Sequence, residues 1–312
     1  MAFILNLASH SRSPALLTVL ACLLLGGRLL GQAPPARIDE ALAAVFGEAG
    51  REASYSERLQ LIRRLPSDLD AGRLERCRRF LESPAELQDL PCLEFNGLKN
   101  DMALALIRQK EGLTELAGLL VRMSRDPWTD DVWRDYCVQF LGKCYPAVAD
   151  MDSRRSMADA LWEALETRRA SSCAGAAGRQ LMSLSRSFRE FPPGDVSRAA
   201  LEALRSPECS DGSRCALLQV CAVLGDTAAL PDARALASSE GTPPGVRASA
   251  IAAVGMLGDA SDLPLLERLA AGADSLAIPA RAAIARLLVR RRTPTREKTP
   301  GAFPKIRDQR LL

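Results

Sequence analysis

The chain has 312 residues, 47% of them apolar but only 4% aromatic, with 41 basic and 38 acidic side chains and a formal charge of +3. That length admits one or two ordinary domains or one continuous solenoid. The apolar set is mostly Ala, Leu and Val without sustained period-two alternation, which favours closely packed helices and excludes a sheet. The charge is uneven: residues 286–312 carry +7 and residues 34–285 carry −6. An acidic body argues against a duplex-binding groove, so nucleic acid is not expected as a partner.

Residues 1–33 read as a secretory signal peptide. Arg12 precedes the apolar run 15–25, and Gly31-Gln32-Ala33 supplies a small-x-small cleavage site. Pro34 would follow the cut, so an uncleaved membrane anchor is the alternative. The body then falls into an N-terminal helical cap (34–96), a helical array (97–292) and a basic tail (293–312) expected to be disordered, with prolines at 294, 300 and 304. Amphipathic periodicity predicts helices over 38–46, 55–65, 68–82, 97–109, 113–124, 129–142, 153–168, 174–188, 195–205, 212–224, 227–238, 245–257, 260–271 and 277–290.

Two stretches repeat. RCALLQVCAVLGDTAALP begins at Arg214 and RASAIAAVGMLGDASDLP begins at Arg247, with a further start, RAAIARLL, at Arg281. A period of this size denotes stacked helix pairs. Val246, Ala250, Ile251, Val254 and Leu257 form one apolar stripe, and Leu263, Leu266 and Leu269 face it from the second helix. Gly258 is expected to end its helix in the left-handed conformation, and Asp259 to cap the next helix. Leu224, Leu257, Ile251 and Leu266 are expected to be buried together.

These residues resemble the HEAT-like repeats named after phycobilisome lyases, in which a Val-Arg start and a small-residue helix precede Leu-Gly-Asp and a leucine-rich helix. Residues 212–290 match that pattern and 126–143 match it more weakly. The resemblance implies an all-α solenoid of stacked antiparallel helix pairs. It says little about function, because one repeat serves many roles.

Three groups of residues stand out. Arg214, Arg247 and Arg281 are expected to pair with the Asp226 and Asp259 of neighbouring repeats in a structural ladder; the functional alternative is an anion site. Trp128, Trp133, Tyr136, Phe140 and Tyr145 concentrate the aromatic content in eighteen residues. They form either a local core plug or, at Trp128, Trp133, Tyr136 and Tyr145, a partner-binding surface. Eight cysteines follow the leader. In an oxidising compartment Cys209–Cys215, across a short loop, is the sterically easier disulfide, and Cys77–Cys92 could link neighbouring helices. At the apolar repeat positions Cys137 and Cys221 the alternative is a buried free thiol.

The only histidine is His10, in the leader. Its position removes the commonest general base and all imidazole metal ligands from the body. CxxC, the phosphate loop, GxGxxG and GxSxG are all absent. Asp126, Asp130 and Asp131 are spaced for helix capping rather than for a calcium loop. The sequence therefore predicts an exported scaffold of the bacterial envelope that binds protein partners, with no cofactor, no metal and no catalysis. A chromophore lyase or isomerase-like subunit and a nucleic-acid-binding array are the alternatives, and membrane contact is expected only through an N-terminal anchor.

Overall fold

The structure, a computed structural model, describes residues 35–48, 53–84, 90–272 and 275–292. The leader and the basic tail expected at 293–312 lie outside the described residues. Those described form helices α1 Pro35–Phe46, α2 Tyr55–Arg63, α3 Ala71–Glu82, α4 Cys92–Ile107, α5 Leu113–Arg125, α6 Asp131–Cys144, α7 Met151–Thr167, α8 Cys173–Leu184, α9 Pro193–Arg205, α10 Asp211–Leu224, α11 Leu230–Ser238, α12 Pro244–Leu257, α13 Leu263–Ala270 and α14 Ala277–Arg292. No strand occurs among the described residues. The fold is all-α, an α-solenoid of HEAT-like helix pairs packed against their neighbours in sequence.

The chain divides into two compact units, one running to Leu119 and the other starting at Leu120. The division falls inside α5, not at the expected 96/97 boundary. The reason is visible in α4. This helix begins at Cys92, five residues earlier than predicted, and buries Phe95, Leu98, Met102 and Leu106 in the core of the first unit. It also buries Asn96 and Lys99. A helix covered on so many sides shows no clean stripe, which is why its start reads as irregular sequence. Within this unit Phe80 stands between Phe46 and Phe95, with ring centroids 5.2 and 5.4 Å away. Arg73 donates to both Asp39 oxygens and so ties α3 to α1.

The second unit has two rows. Helices α6, α8, α10, α12 and α14 pack one on the next, and α7, α9, α11 and α13 lie between consecutive members as the second row. Small residues set the spacing of the first row. A Cβ on Gly255 of α12 would lie 2.6 Å from the Ala283 Cβ of α14; one on Gly178 of α8 would lie 2.9 Å from Leu217 of α10. Gly142 is not a terminator, as its glycine suggests, but an interior residue of α6 against Gln180 of α8. A serine seam pins α8 to α10: Ser213 Oγ donates to Ser171 O at 2.7 Å and accepts from the Gly175 amide at 2.9 Å.

The repeat core is buried where the stripe places it for Val246, Ala250, Ile251, Val254 and Leu266, whereas Leu224, Leu257, Leu263 and Leu269 are only half-buried. The last four sit at or next to helix ends. The second-row helices α11 and α13 start later than predicted. Short 3₁₀ turns at Thr227–Ala229 and Ala260–Asp262 come first, capped by Asp226 and Asp259. Pro231 and Pro264 then occupy the opening turns of α11 and α13.

Gly225 closes α10 in the left-handed conformation, at φ 75°. Gly258 does not share it, being extended at φ −74°. Its lack of a side chain serves another end, since a Cβ there would fall 2.2 Å from the Asp262 carboxylate. That carboxylate must approach because it accepts from the Asp259 amide and pairs with Arg234.

Candidate functional site

The turn between α5 and α6 is built around one arginine. Asp126 Oδ1 accepts from the Trp128 amide at 3.0 Å, and its Oδ2 accepts from the Thr129 hydroxyl at 2.8 Å. These donors hold the Asp126 carboxyl below its ordinary pKa, the Trp128 amide foremost. Arg134, buried in the second turn of α6, reaches back under the loop. It donates to Asp126 O at 3.2 Å, to Pro127 O at 2.9 Å, to Thr129 O, and to the Asp131 carboxylate at 2.8 Å. Asp130 caps α6 by accepting from the Val132 and Trp133 amides. The acids read as helix-capping residues are therefore each engaged by protein donors.

On this clamped turn Trp128 is 92% exposed, with Val132 also exposed beside it on α6. The other members of the aromatic cluster turn inward. Trp133 is fully buried and Tyr145 nearly so, and Tyr136 is half-buried. Tyr145 packs edge-on against Phe188 and Phe191 and donates to Glu190 at 2.9 Å. Burial and that carboxylate push its hydroxyl up to about 12. Trp133 and Tyr145 thus cannot meet a partner, because the core of the second unit already covers them. Of the expected surface, Trp128 remains exposed and Tyr136 half-exposed.

The repeat arginines do not form the expected ladder with Asp226 and Asp259. Arg247 Nε donates to Ala237 O at 3.4 Å and Arg281 to Ala270 O at 3.3 Å, each at the end of the preceding second-row helix. The last carbonyls of a helix lack intrahelical donors and attract cations, so this is where a guanidinium early in the next helix gains most. Arg134 does the same for its loop. Arg214 has no ion pair with either aspartate and lies near Cys209. Asp226 and Asp259 instead accept from Ala228 N and Ser261 N. Ionic ties between repeats do exist, from other residues. Arg205 of α9 pairs with Asp232 of α11 at 2.9 Å, and Arg234 of α11 with Asp262 before α13 at 2.6 Å. The period of the arginine and aspartate motif concealed these partners, since neither arginine belongs to it.

Neither expected disulfide is present: Cys77, Cys209 and Cys215 are free thiols. Burial pushes the thiols of Cys77, Cys144 and Cys221 up to about 12. They fill core positions as small hydrophobes. Among the described residues, no three Cys, His, Asp or Glu side chains are grouped to hold a metal, and no helix is long and apolar enough to cross a membrane.

The stacked pairs and clamped turns define an α-solenoid with HEAT-like units. No protein-family model matches the chain, and no curated protein matches it. Among solved structures it is similar to human deoxyhypusine hydroxylase in complex with glycerol. The identity is 16% over 81% of this chain and 96% of that one, with a TM-score of 0.33. That protein is an enzyme, whereas the sequence predicts no catalysis by this chain. The architecture does not exclude chemistry, and the expectation is withdrawn.

Proposed function

We propose that the protein is an exported helical-repeat array of the phycobilisome-lyase HEAT-like type that recognises another protein through the Trp128 turn. The observation behind this reading is the pairing of a 92% exposed tryptophan with a rigid support. A large aromatic side chain held on a preorganised loop loses little entropy on binding, and tryptophan is among the residues that dominate interface energetics. The Arg134 clamp supplies the rigidity. Export rests on the leader pattern of residues 1–33.

A photo-crosslinking residue in place of Trp128, in cells expressing the full chain, tests the reading. The expected result is one crosslinked protein species, absent when the probe is moved to Gly212, another position in open space. An equal crosslinking pattern from both positions would overturn it. A fusion of residues 1–40 to a reporter active only outside the cytoplasm tests export, and an inactive fusion overturns that part alone.

A further inference from the structure

Four of the five first-row helices, α6, α10, α12 and α14, share a register. Counting from the arginine near each helix start (Arg134, Arg214, Arg247, Arg281), the fourth following residue is Val138, Leu218, Ile251 or Ala285, and the eighth is Gly142, Ala222, Gly255 or Val289. In α6, α10 and α12 both positions are buried. The eighth position is where the next first-row helix is received: Gly142 meets Gln180 of α8, and Gly255 meets Ala283 of α14. In α14 the same two positions face solvent, with Ala285 exposed and Val289 63% exposed. With Ile278, 74% exposed, and Ala282, they make a stripe at spacings of four, three and four residues. That stripe lies opposite the buried residues Ala280, Ala283 and Leu287. A helix that is apolar on both sides is built to be covered on both.

We propose that this outer face of α14 docks an acid-flanked amphipathic helix of a partner protein, as the next helix in the row. Charge selects that occupant. At 3.6 residues per turn, Arg281 and Arg286 flank the stripe about 70° to either side. Residues 277–292 hold five arginines and no acid. A second copy pairing α14 face to face would bring the same arginines against these and be repelled. Ala285, Arg286, Val289 and Arg290 line one side of a groove of about 520 Å³, with Gly255 and Met256 of α12 on the other. This groove borders the stripe on the side towards α12. Arg290 is already occupied, donating to the Gly255, Met256 and Gly258 carbonyls, so the groove wall is fixed. Arg286 has no hydrogen-bond partner among the described residues and is left to meet an acid. Val289 in place of a glycine sets the incoming helix further out than a neighbour within the chain, nearer the ordinary spacing of about 8–10 Å.

This surface is separate from the Trp128 turn, and its test does not depend on that reading. The probe is a displayed library of helical peptides with a fixed leucine stripe and randomised flanking positions, selected against the full chain. The expected outcome is enrichment of Asp and Glu at the flanks. Val289→Asp should weaken the selected peptides about tenfold or more, and Arg286→Glu should shift the preference towards Lys flanks. Both residues are exposed, so an unchanged thermal midpoint confirms that the variants fold. Selected peptides without acidic flanks, or indifferent to Val289→Asp, overturn the proposal. So does co-sedimentation with phosphatidylserine vesicles, or self-association in sedimentation velocity, when either is abolished by Val289→Asp while no peptide is selected.

Discussion

Replacing Arg134 with methionine keeps the apolar stem and removes the guanidinium from under the Trp128 turn. Four acceptors lose their donor: three carbonyls and the Asp131 carboxylate. Hydrogen bonds to a charged group contribute about 1.5–3 kcal/mol each, but they are not additive, and carbonyls that water can reach recover most of the loss. Asp126 is half-exposed and Pro127 exposed, so their carbonyls rehydrate; Thr129 is 7% exposed, and its carbonyl stays without a donor. The stranded carbonyl alone costs about 1–3 kcal/mol, and loss of the clamp brings the total to about 2–4 kcal/mol. For a unit of this size that corresponds to a fall in thermal midpoint of about 5–15 °C. Arg134→Lys should recover less than half, because a point charge cannot serve three divergent carbonyls. Asp131→Asn should change little, since that carboxylate is 77% exposed. Thermal and urea denaturation followed by circular dichroism give the numbers. A loss below about 1 kcal/mol for Arg134→Met, or an equal loss for Asp131→Asn, would refute the clamp.

Gly255→Ala should destabilise by about 1–3 kcal/mol, because its methyl would meet the backbone of Ala283, while Gly118→Ala, in open space on α5, should stabilise by about 0.5–1 kcal/mol; denaturation midpoints of opposite sign check the pair. Iodoacetamide on the native protein should label the exposed Cys92 and the half-exposed Cys215 first, with Cys77, Cys144 and Cys221 reacting only after unfolding, as read by peptide mass spectrometry. The raised pKa of those three buried thiols places their contribution fully below the ordinary thiol pKa of about 9 and removes it as pH rises towards 12, so stability should fall in alkali. The lowered pKa of Asp126 and Asp259 has the opposite sense: their contribution is complete above about pH 4 and is lost as pH falls through the folded value. Between pH 5 and 8 the thermal midpoint should therefore stay level, and a marked slope there would contradict the assignment.

Every described helix is legible from periodicity, to within a few residues at most ends. What the sequence could not show was who meets whom across the rows. The arginine period was readable, but its obvious partners, Asp226 and Asp259, are consumed by amides two residues away. A local acceptor beats a distant one because it orders less chain. Five aromatic residues in eighteen announced a special region without separating Trp133 from Trp128. The capping residue Asp130 divides them: Trp133 lies inside α6 on its buried face, and Trp128 precedes the cap on the turn. The outer stripe of α14 was in plain view as Ile278, Ala282, Ala285 and Val289. Apolar spacing marks what is meant to be covered and not what covers it.

The glycine and alanine contacts between first-row helices have a consequence for insertions and deletions. One residue added within α12 ahead of Gly255 would turn everything after it by about 100°. Val254 would then stand where Gly255 now touches Ala283, and its branched side chain has no room there. The connection from Ser239 to Pro243 carries no such register. It is largely exposed, and added residues there leave both helices in phase. Length variation in proteins of this design should therefore collect in the connections and spare the first-row helices, so that the helices keep time and the turns absorb change.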